Sequence, residues 1–249
     1  MAGDGRGVLC LHGFTGTPFE VRPLAEAFGR EGRSVLAPTL AGHGDTVAAL
    51  AATTWNDWLA SAERGLDTLR ARTGGPVAIA AFSMGSLLAL HLARLRPDDV
   101  AALVLICPAL RLAGWKVAGV RALRALRFVA NASVRKPNGS DISIPEMRHG
   151  NPALPAFPLA ALAQLLALMD VARADLPLVR APALVVDARH DHVVHTAAAR
   201  EVAASLGSSV VERLTLARSF HVALLDVDAP ELVDAATRFV ARFLPPAPR

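Results

Sequence analysis

Pro76-Val77-Ala78-Ile79-Ala80-Ala81-Phe82-Ser83-Met84-Gly85-Ser86 is the stretch that decides how this chain folds. From Pro76 to Phe82 it is continuously apolar, the pattern of a strand buried on both faces of a parallel sheet. Ser83 follows at once, and a helix opens there and runs through His91 to Leu95. A strand that gives way to a helix at one residue makes a sharp turn, and the side chain at its apex stands above the sheet. Such a turn wants small residues two positions before and after the apex, which Ala81 and Gly85 provide. The helix also aims its free N–H groups and the positive end of its dipole at whatever reacts with the Ser83 hydroxyl. These features suit a nucleophilic serine. They equally suit a serine that only caps the helix, and five residues alone do not separate the two readings.

Outward from this stretch the same alternation repeats. Apolar strand-like runs cover residues 7–12, 34–38, 100–107, 183–188 and 210–216. Helical spacing appears from Phe19 through Leu24, Ala27 and Phe28, from Thr53 or Thr54 to about Arg72, and over residues 196–206 and 230–244. Strand and helix in alternation predict an α/β fold, a mostly parallel sheet flanked by helices on both faces. Residues 111–175 break the rhythm with a basic helical stretch, a Pro/Asn/Gly/Ser region over 137–158, and an apolar helix from Leu159 to Met169. The expected organisation is a core of residues 1–110 and 176–249, with 111–175 inserted over the carboxyl ends of the strands.

Composition agrees with one compact domain. The 249 residues are 53% hydrophobic and 19% charged, which excludes global disorder. The longest apolar stretch, Phe157 to Met169, is interrupted by Pro158 and Gln164 and is too short for a bilayer. The first residues carry no basic flank followed by a long apolar region. Cys10 and Cys107 fall inside apolar runs, so buried reduced thiols and a cytoplasmic location are expected.

A serine hydroxyl needs a base, and the base needs an orienting carboxylate. Asp191 follows the run 183–188, and His221 follows the run 210–216. Both therefore belong to loops at strand carboxyl ends, where parallel sheets place their ligands. Asp187 is a rival acid but falls within its strand, too early to reach over the sheet edge. Ser83, Asp191 and His221 are the expected catalytic residues. The expected oxyanion donors are the backbone N–H groups of Met84 and Phe14, with Gly13 letting the loop after the first strand turn.

His12-Gly13-Phe14-Thr15-Gly16-Thr17-Pro18, Gly42-His43-Gly44, Phe82-Ser83-Met84-Gly85, Asp191-His192-Val193-Val194 and Phe220-His221-Val222-Ala223-Leu224-Leu225-Asp226 together resemble the bacterial carboxylesterase and monoacylglycerol lipase group of the α/β-hydrolase superfamily. The resemblance covers most of the chain outside the insertion. It implies a serine esterase with a small helical cap, acting on short to medium acyl esters or monoacylglycerols through an acyl-enzyme, with no cofactor and no metal. By position it assigns Ser83 as nucleophile, Asp191 as acid, His221 as base, and Phe14 and Met84 as oxyanion donors. The chain departs from the group's pattern at Ala81, where glycine is usual, and at Ser86, where a second glycine often stands.

Other features carry rival readings. His190, His192 and His195 around Asp191 invite a metal site, yet no second carboxylate or cysteine cluster accompanies them, and surface histidines are the better account. His43 is expected to shape a loop and His91 to flank the helix after Ser83. Seven basic and no acidic residues fall between Arg111 and Lys136; removing them from the net +4 leaves the remainder at −3. On a helical wheel Lys116, Arg121, Arg124 and Arg127 share one side, with Trp115, Ala118, Ala122, Leu126 and Val129 on the other. A solvated face is the plain reading, and contact with anionic lipid surfaces is the sharper one. Nucleic acid is not an expected partner, because the patch is short and no recognition motif accompanies it. Leu159, Leu162, Leu165, Leu166 and Met169 are expected to line the acyl site. The rival function is a non-catalytic small-ligand receptor on the same fold; acyl transfer, thioester hydrolysis and perhydrolysis would use the same residues.

Overall fold

The computed structural model describes residues 6–114 and 132–245. Its strands are β1 (Gly7–Leu11), β2 (Ser34–Leu36), β3 (Val77–Phe82), β4 (Val100–Ile106), β5 (Ser133–Arg135), β6 (Ala156–Pro158), β7 (Ala183–Ala188) and β8 (Val211–Leu216). Six of them form one sheet in the order β2-β1-β3-β4-β7-β8, with every neighbouring pair parallel. Between β4 and β7 in the chain, β5 and β6 form a separate antiparallel pair.

Burial on both faces explains why the strands read as unbroken apolar runs. Leu9, Leu11, Ile79, Ala81, Leu103, Leu105 and Val185 belong to one core cluster, shared with the helices Trp55–Thr73, Met84–Leu95, Leu159–Asp175 and Ala197–Ser205. Their alternates Val8, Cys10, Ala78, Ala80, Val104, Ile106 and Val186 belong to a second cluster, with the helices Arg22–Arg30 and Ala229–Phe243. Strand β8 lies at the sheet edge and is half-buried, in keeping with its Glu212 and Arg213.

Element boundaries follow local chemistry. The helix from Trp55 begins in a capping box, where Asp57 accepts the Thr54 N–H at 2.8 Å, and ends at Gly74 with φ 70°. The second strand stops at Leu36, two residues short of the expected Pro38. The helix expected over 159–169 continues to Asp175. Its last turns keep one buried side, Met169 and Ala172, and Asp175 then meets His91 at 2.6 Å and Arg94 at 3.5 Å.

Topology places the site. From β1 the chain goes to β2 on one side and then crosses to β3 on the other, so the loops after β1 and β3 leave adjacent strand ends in a sheet whose order reverses there. Ligands of parallel sheets bind in such a crevice. The loop after β1 covers residues 12–17, and the residue after β3 is Ser83. The segment between β4 and β7 touches that loop, since the Leu154 N–H donates to the Thr15 carbonyl at 2.9 Å. Trp115, Lys116, Arg121, Arg124 and Arg127, with the rest of the predicted basic helix, lie outside the described residues. No helix among the described residues is long and apolar enough to cross a membrane.

Candidate active site

Ser83 adopts φ 54° and ψ −115°, a left-handed backbone that costs a non-glycine residue about 1–3 kcal/mol. The surroundings hold it there. Its N–H donates to the Ile106 carbonyl at 2.8 Å, and its carbonyl accepts the Ser86 N–H at 3.1 Å and the Ala109 N–H at 3.3 Å. Ser86 Oγ donates to the Ala81 carbonyl at 2.8 Å, so the residue that departs from the family's glycine ties down the turn instead of opening it. Gly85 admits no substitute without movement: a Cβ there would stand 2.7 Å from the carbonyl oxygens of both Leu11 and His12. Ala81 fits because its methyl belongs to the core.

The other two predicted residues come to the same place. Asp191, in the turn after β7, uses Oδ1 to accept the N–H groups of Val193 at 2.8 Å and Val194 at 2.7 Å. Its Oδ2 accepts from His221 Nδ1 at 2.7 Å. The opposite ring nitrogen, Nε2, accepts from Ser83 Oγ at 2.9 Å. Ser83 and His221 are both buried. Burial alone lowers the His221 pKa and is the largest single influence on it. The charge and hydrogen bond of Asp191, with smaller help from Asp141 and Glu20, outweigh it and leave the pKa above the ordinary histidine value. Asp187 stays inside β7, accepting from Arg213 Nη2 and Thr215 Oγ1 at 3.1 Å each.

Gly13 passes directly against the serine. A Cβ on it would lie 2.9 Å from the Phe82 ring and 3.2 Å from Ser83 Cβ. Two buried groups fix this loop. His12 Nε2 accepts the Leu40 N–H at 3.1 Å while Nδ1 donates to the Gly13 carbonyl at 2.9 Å, and Glu20 Oε2 accepts the Gly13 N–H at 3.2 Å. Burial lowers the His12 pKa to about 3 and that of His43 to about 4, so both rings stay neutral and keep these contacts. His43 Nδ1 donates to the Ala41 carbonyl at 3.0 Å, shaping its loop as expected, and its ring meets Phe14 and Trp58 edge-on. Phe14 is thereby held in the wall of the cavity that contains Ser83.

That cavity has a volume of about 450 Å³ and is lined by both apolar and polar side chains. Phe14, Phe157, Leu159, Leu162, Leu165 and Leu166 are apolar, whereas Thr15, Glu20, Lys136, Ser140, Asp141 and His192 are polar. Met169, expected in the lining, is instead buried in the core one turn further along, where its helix packs on Met84–Leu95. Lys136 Nζ donates to Thr15 Oγ1 at 3.0 Å; burial lowers the Lys136 pKa, and nearby Glu20 opposes that. Burial likewise raises the Glu20 pKa, against hydrogen bonds from Gly13 and Asn151.

Among the described residues, one group of metal-capable side chains lies close together: Cys107, Asp191 and His221. Burial first and Asp191 second push the Cys107 thiol well above its ordinary pKa. A protonated thiol and an imidazole already bonded to the carboxylate make a poor donor set. His190 and His192 instead edge onto the Phe220 ring, and His195 Nδ1 accepts the Ala197 N–H at 3.1 Å. Reading the sequence missed Cys107 behind Asp191, together with Glu20, Lys136 and Asp141. None of these has a periodic or motif signature, and Lys136 and Asp141 sit in irregular segments whose neighbours only the fold reveals.

Known proteins resemble this chain over most of its length. A model of the Hydrolase_4 family, described as serine aminopeptidase, S33, matches residues 5–228. The chain is 35% identical over 239 residues to a thermostable monoacylglycerol lipase of Bacillus sp. (strain H-257), covering 95% of this chain and 90% of that one. It is 27% identical over 224 residues to a carboxylesterase of Bacillus subtilis (strain 168), covering 90% and 87%. A solved structure from work on LipS and LipT, two metagenome-derived lipolytic enzymes, superposes with a TM-score of 0.89 at 34% identity, covering 97% of this chain and 95% of that one. The chain belongs to the Hydrolase_4 (serine aminopeptidase, S33) family, and it is a serine hydrolase of the α/β-hydrolase fold.

Proposed function

We propose that the protein hydrolyses carboxylic esters of short to medium acyl chains, monoacylglycerols among them, with Ser83 as nucleophile, His221 as base and Asp191 as the acid that orients it. The observation that carries this reading is the unbroken line from Asp191 Oδ2 through His221 to Ser83 Oγ, opening into a cavity lined mostly by apolar side chains with a few polar ones. As Ser83 Oγ attacks the ester carbonyl, His221 Nε2 takes its proton. The N–H groups of Phe14 and Met84 receive the negative charge that forms on the carbonyl oxygen; one such donor contributes about 3 kcal/mol. The imidazolium then gives its proton to the departing alkoxide, and water attacks the acyl-enzyme by the same route to free the acid and restore Ser83. These side chains complete the reaction without a metal or cofactor.

The apolar side chains suit the acyl chain, and the polar ones, with Lys136 as donor and Glu20 as acceptor, suit the hydroxyls of a glycerol leaving group. A relative named as a monoacylglycerol lipase at 35% identity supports the same substrate. Residues 111–175 serve as a cap on the core of residues 1–110 and 176–249. Cytoplasmic residence is supported by two buried free cysteines. Contact of the cap with anionic lipid surfaces is supported by its basic sequence, and tighter binding to anionic than to neutral vesicles at low salt is the result expected.

The reading is tested with monoacylglycerols and p-nitrophenyl esters of increasing chain length, using the native protein and Ser83→Ala. Hydrolysis by the native protein, with a loss on the order of 10⁴-fold or more in the variant, is expected. Ligand binding without turnover would favour the non-catalytic receptor, and an undiminished rate in Ser83→Ala would remove Ser83 from the mechanism.

A further inference from the structure

The turns that carry Asp191 and His221 both project beyond the ends of their strands, β7 and β8, where the sheet no longer fixes them. One residue of the insertion touches both. Asp141 Oδ2 accepts the backbone N–H of His192 at 3.0 Å and the backbone N–H of His221 at 3.1 Å. Its Oδ1 lies 2.9 Å from His192 Nδ1, and its own carbonyl accepts the Val222 N–H at 3.0 Å. Two residues on, Ser143 pins the same segment to Asp226, its N–H donating to Oδ2 at 2.9 Å and its Oγ to Oδ1. Ile142, between them, is fully buried. Asp141 is largely buried as well, with 16% of its side chain exposed.

We infer that Asp141 is a positioning residue for the hydrolytic reaction: its single carboxylate joins the acid turn to the base turn and so sets the geometry of the Asp191–His221 hydrogen bond. The inference rests on Ser83, His221 and Asp191 acting as proposed above. The His221–Asp191 contact holds only while two separate turns keep their spacing, and Asp141 spans them next to each residue's backbone, through His192 on one side and His221 itself on the other. A displacement of about 1 Å in such an arrangement costs on the order of a hundred-fold in rate. The carboxylate also supplies negative charge on the side where the imidazolium forms. Among the described residues, the charged and titratable groups bearing on His221 include Asp191, Asp141 and Glu20, with His192 against the other oxygen of Asp141 and the Cys107 thiol within 4.8 Å of both His221 and Asp191.

Because a structural contact alone could lower activity by loosening the fold, the test reads a pH profile as well as a rate. Native protein, Asp141→Asn, Asp141→Ala and Ser143→Ala are compared on p-nitrophenyl butyrate across pH, with unfolding measured in parallel. Asp141→Ala is expected to lose about ten- to a hundred-fold in kcat, more than it changes KM. Asp141→Asn keeps a carbonyl acceptor but loses the charge. Its kcat falls less, and the acidic limb of its kcat/KM profile moves to lower pH, because the His221 imidazolium has lost a stabilising anion. Ser143→Ala loosens the same segment without touching that charge and leaves the acidic limb in place. Folded Asp141→Asn with native kcat and an unmoved acidic limb overturns the inference, whether or not the alanine variant folds. Failure of the underlying reading is separable: it appears as full activity in Ser83→Ala, whatever happens at Asp141.

Discussion

At Ser83, φ 54° places the hydroxyl 2.9 Å from His221 Nε2, and the base is in turn 2.7 Å from Asp191. The chemistry at this scale depends on which form of the imidazole is present. With His221 as the proposed base, only its neutral form can take the Ser83 proton, so activity is expected to rise as pH climbs through its pKa. Because neighbouring carboxylates hold that pKa above the ordinary value near 6.5, the acidic limb of kcat/KM is expected above that pH in the free enzyme. A pH–rate profile checks this, and a limb well below 6.5 would contradict the electrostatics described. Asp191→Asn is expected to lose on the order of 10³–10⁴-fold in kcat with little effect on folding, since the ring loses its orienting acceptor. That these three residues could meet was legible in the sequence, because each follows a different apolar strand and they come in the order serine, acid, histidine. Asp141 and Cys107 were not. Their place beside the site comes from neighbours 51 to 114 residues away in the chain, which no local pattern encodes.

Among the elements, the turn from β3 into the helix Met84–Leu95 is the most constrained. Its close approach to β1 leaves no room at Gly85, where an added methyl would meet the Leu11 and His12 carbonyl oxygens at 2.7 Å. Gly85→Ala is therefore expected to destabilise the protein by about 1–3 kcal/mol and to shift Ser83 out of line. Denaturant unfolding and ester hydrolysis measure the two effects, and a variant with native stability would show the approach to be looser than described. The turn, the six sheet strands and the long flanking helices were legible from periodicity, with ends misplaced at Leu36 and Asp175, whereas the short helix Val47–Ala51 was missed because five residues are too few to show a helical period. The insertion was legible only in part. Its apolar helix was evident, but that helix serves two masters: Leu159, Leu162, Leu165 and Leu166 face the cavity, while Met169 faces the core. Helical spacing gives a common side and not the neighbour that side meets at each turn.

For the whole molecule, the sheet is covered on both faces, and residues between β4 and β7 contribute much of the lining of the cavity at Ser83. On the proposed function this cavity is a ruler for the acyl group. Leu162 is partly buried and lines it, so Leu162→Trp should shorten the space available. The variant is expected to keep activity on acetate esters and lose it selectively on medium-chain esters. An unchanged chain-length profile would place the acyl group elsewhere. The central claim, that one serine at the rim of this sheet is activated for covalent attack, is tested most directly by labelling with a fluorophosphonate probe and locating the adduct by peptide mass spectrometry. The account predicts a single adduct on Ser83, absent in Ser83→Ala. A native protein that stays unlabelled, or an adduct on another residue, would contradict it.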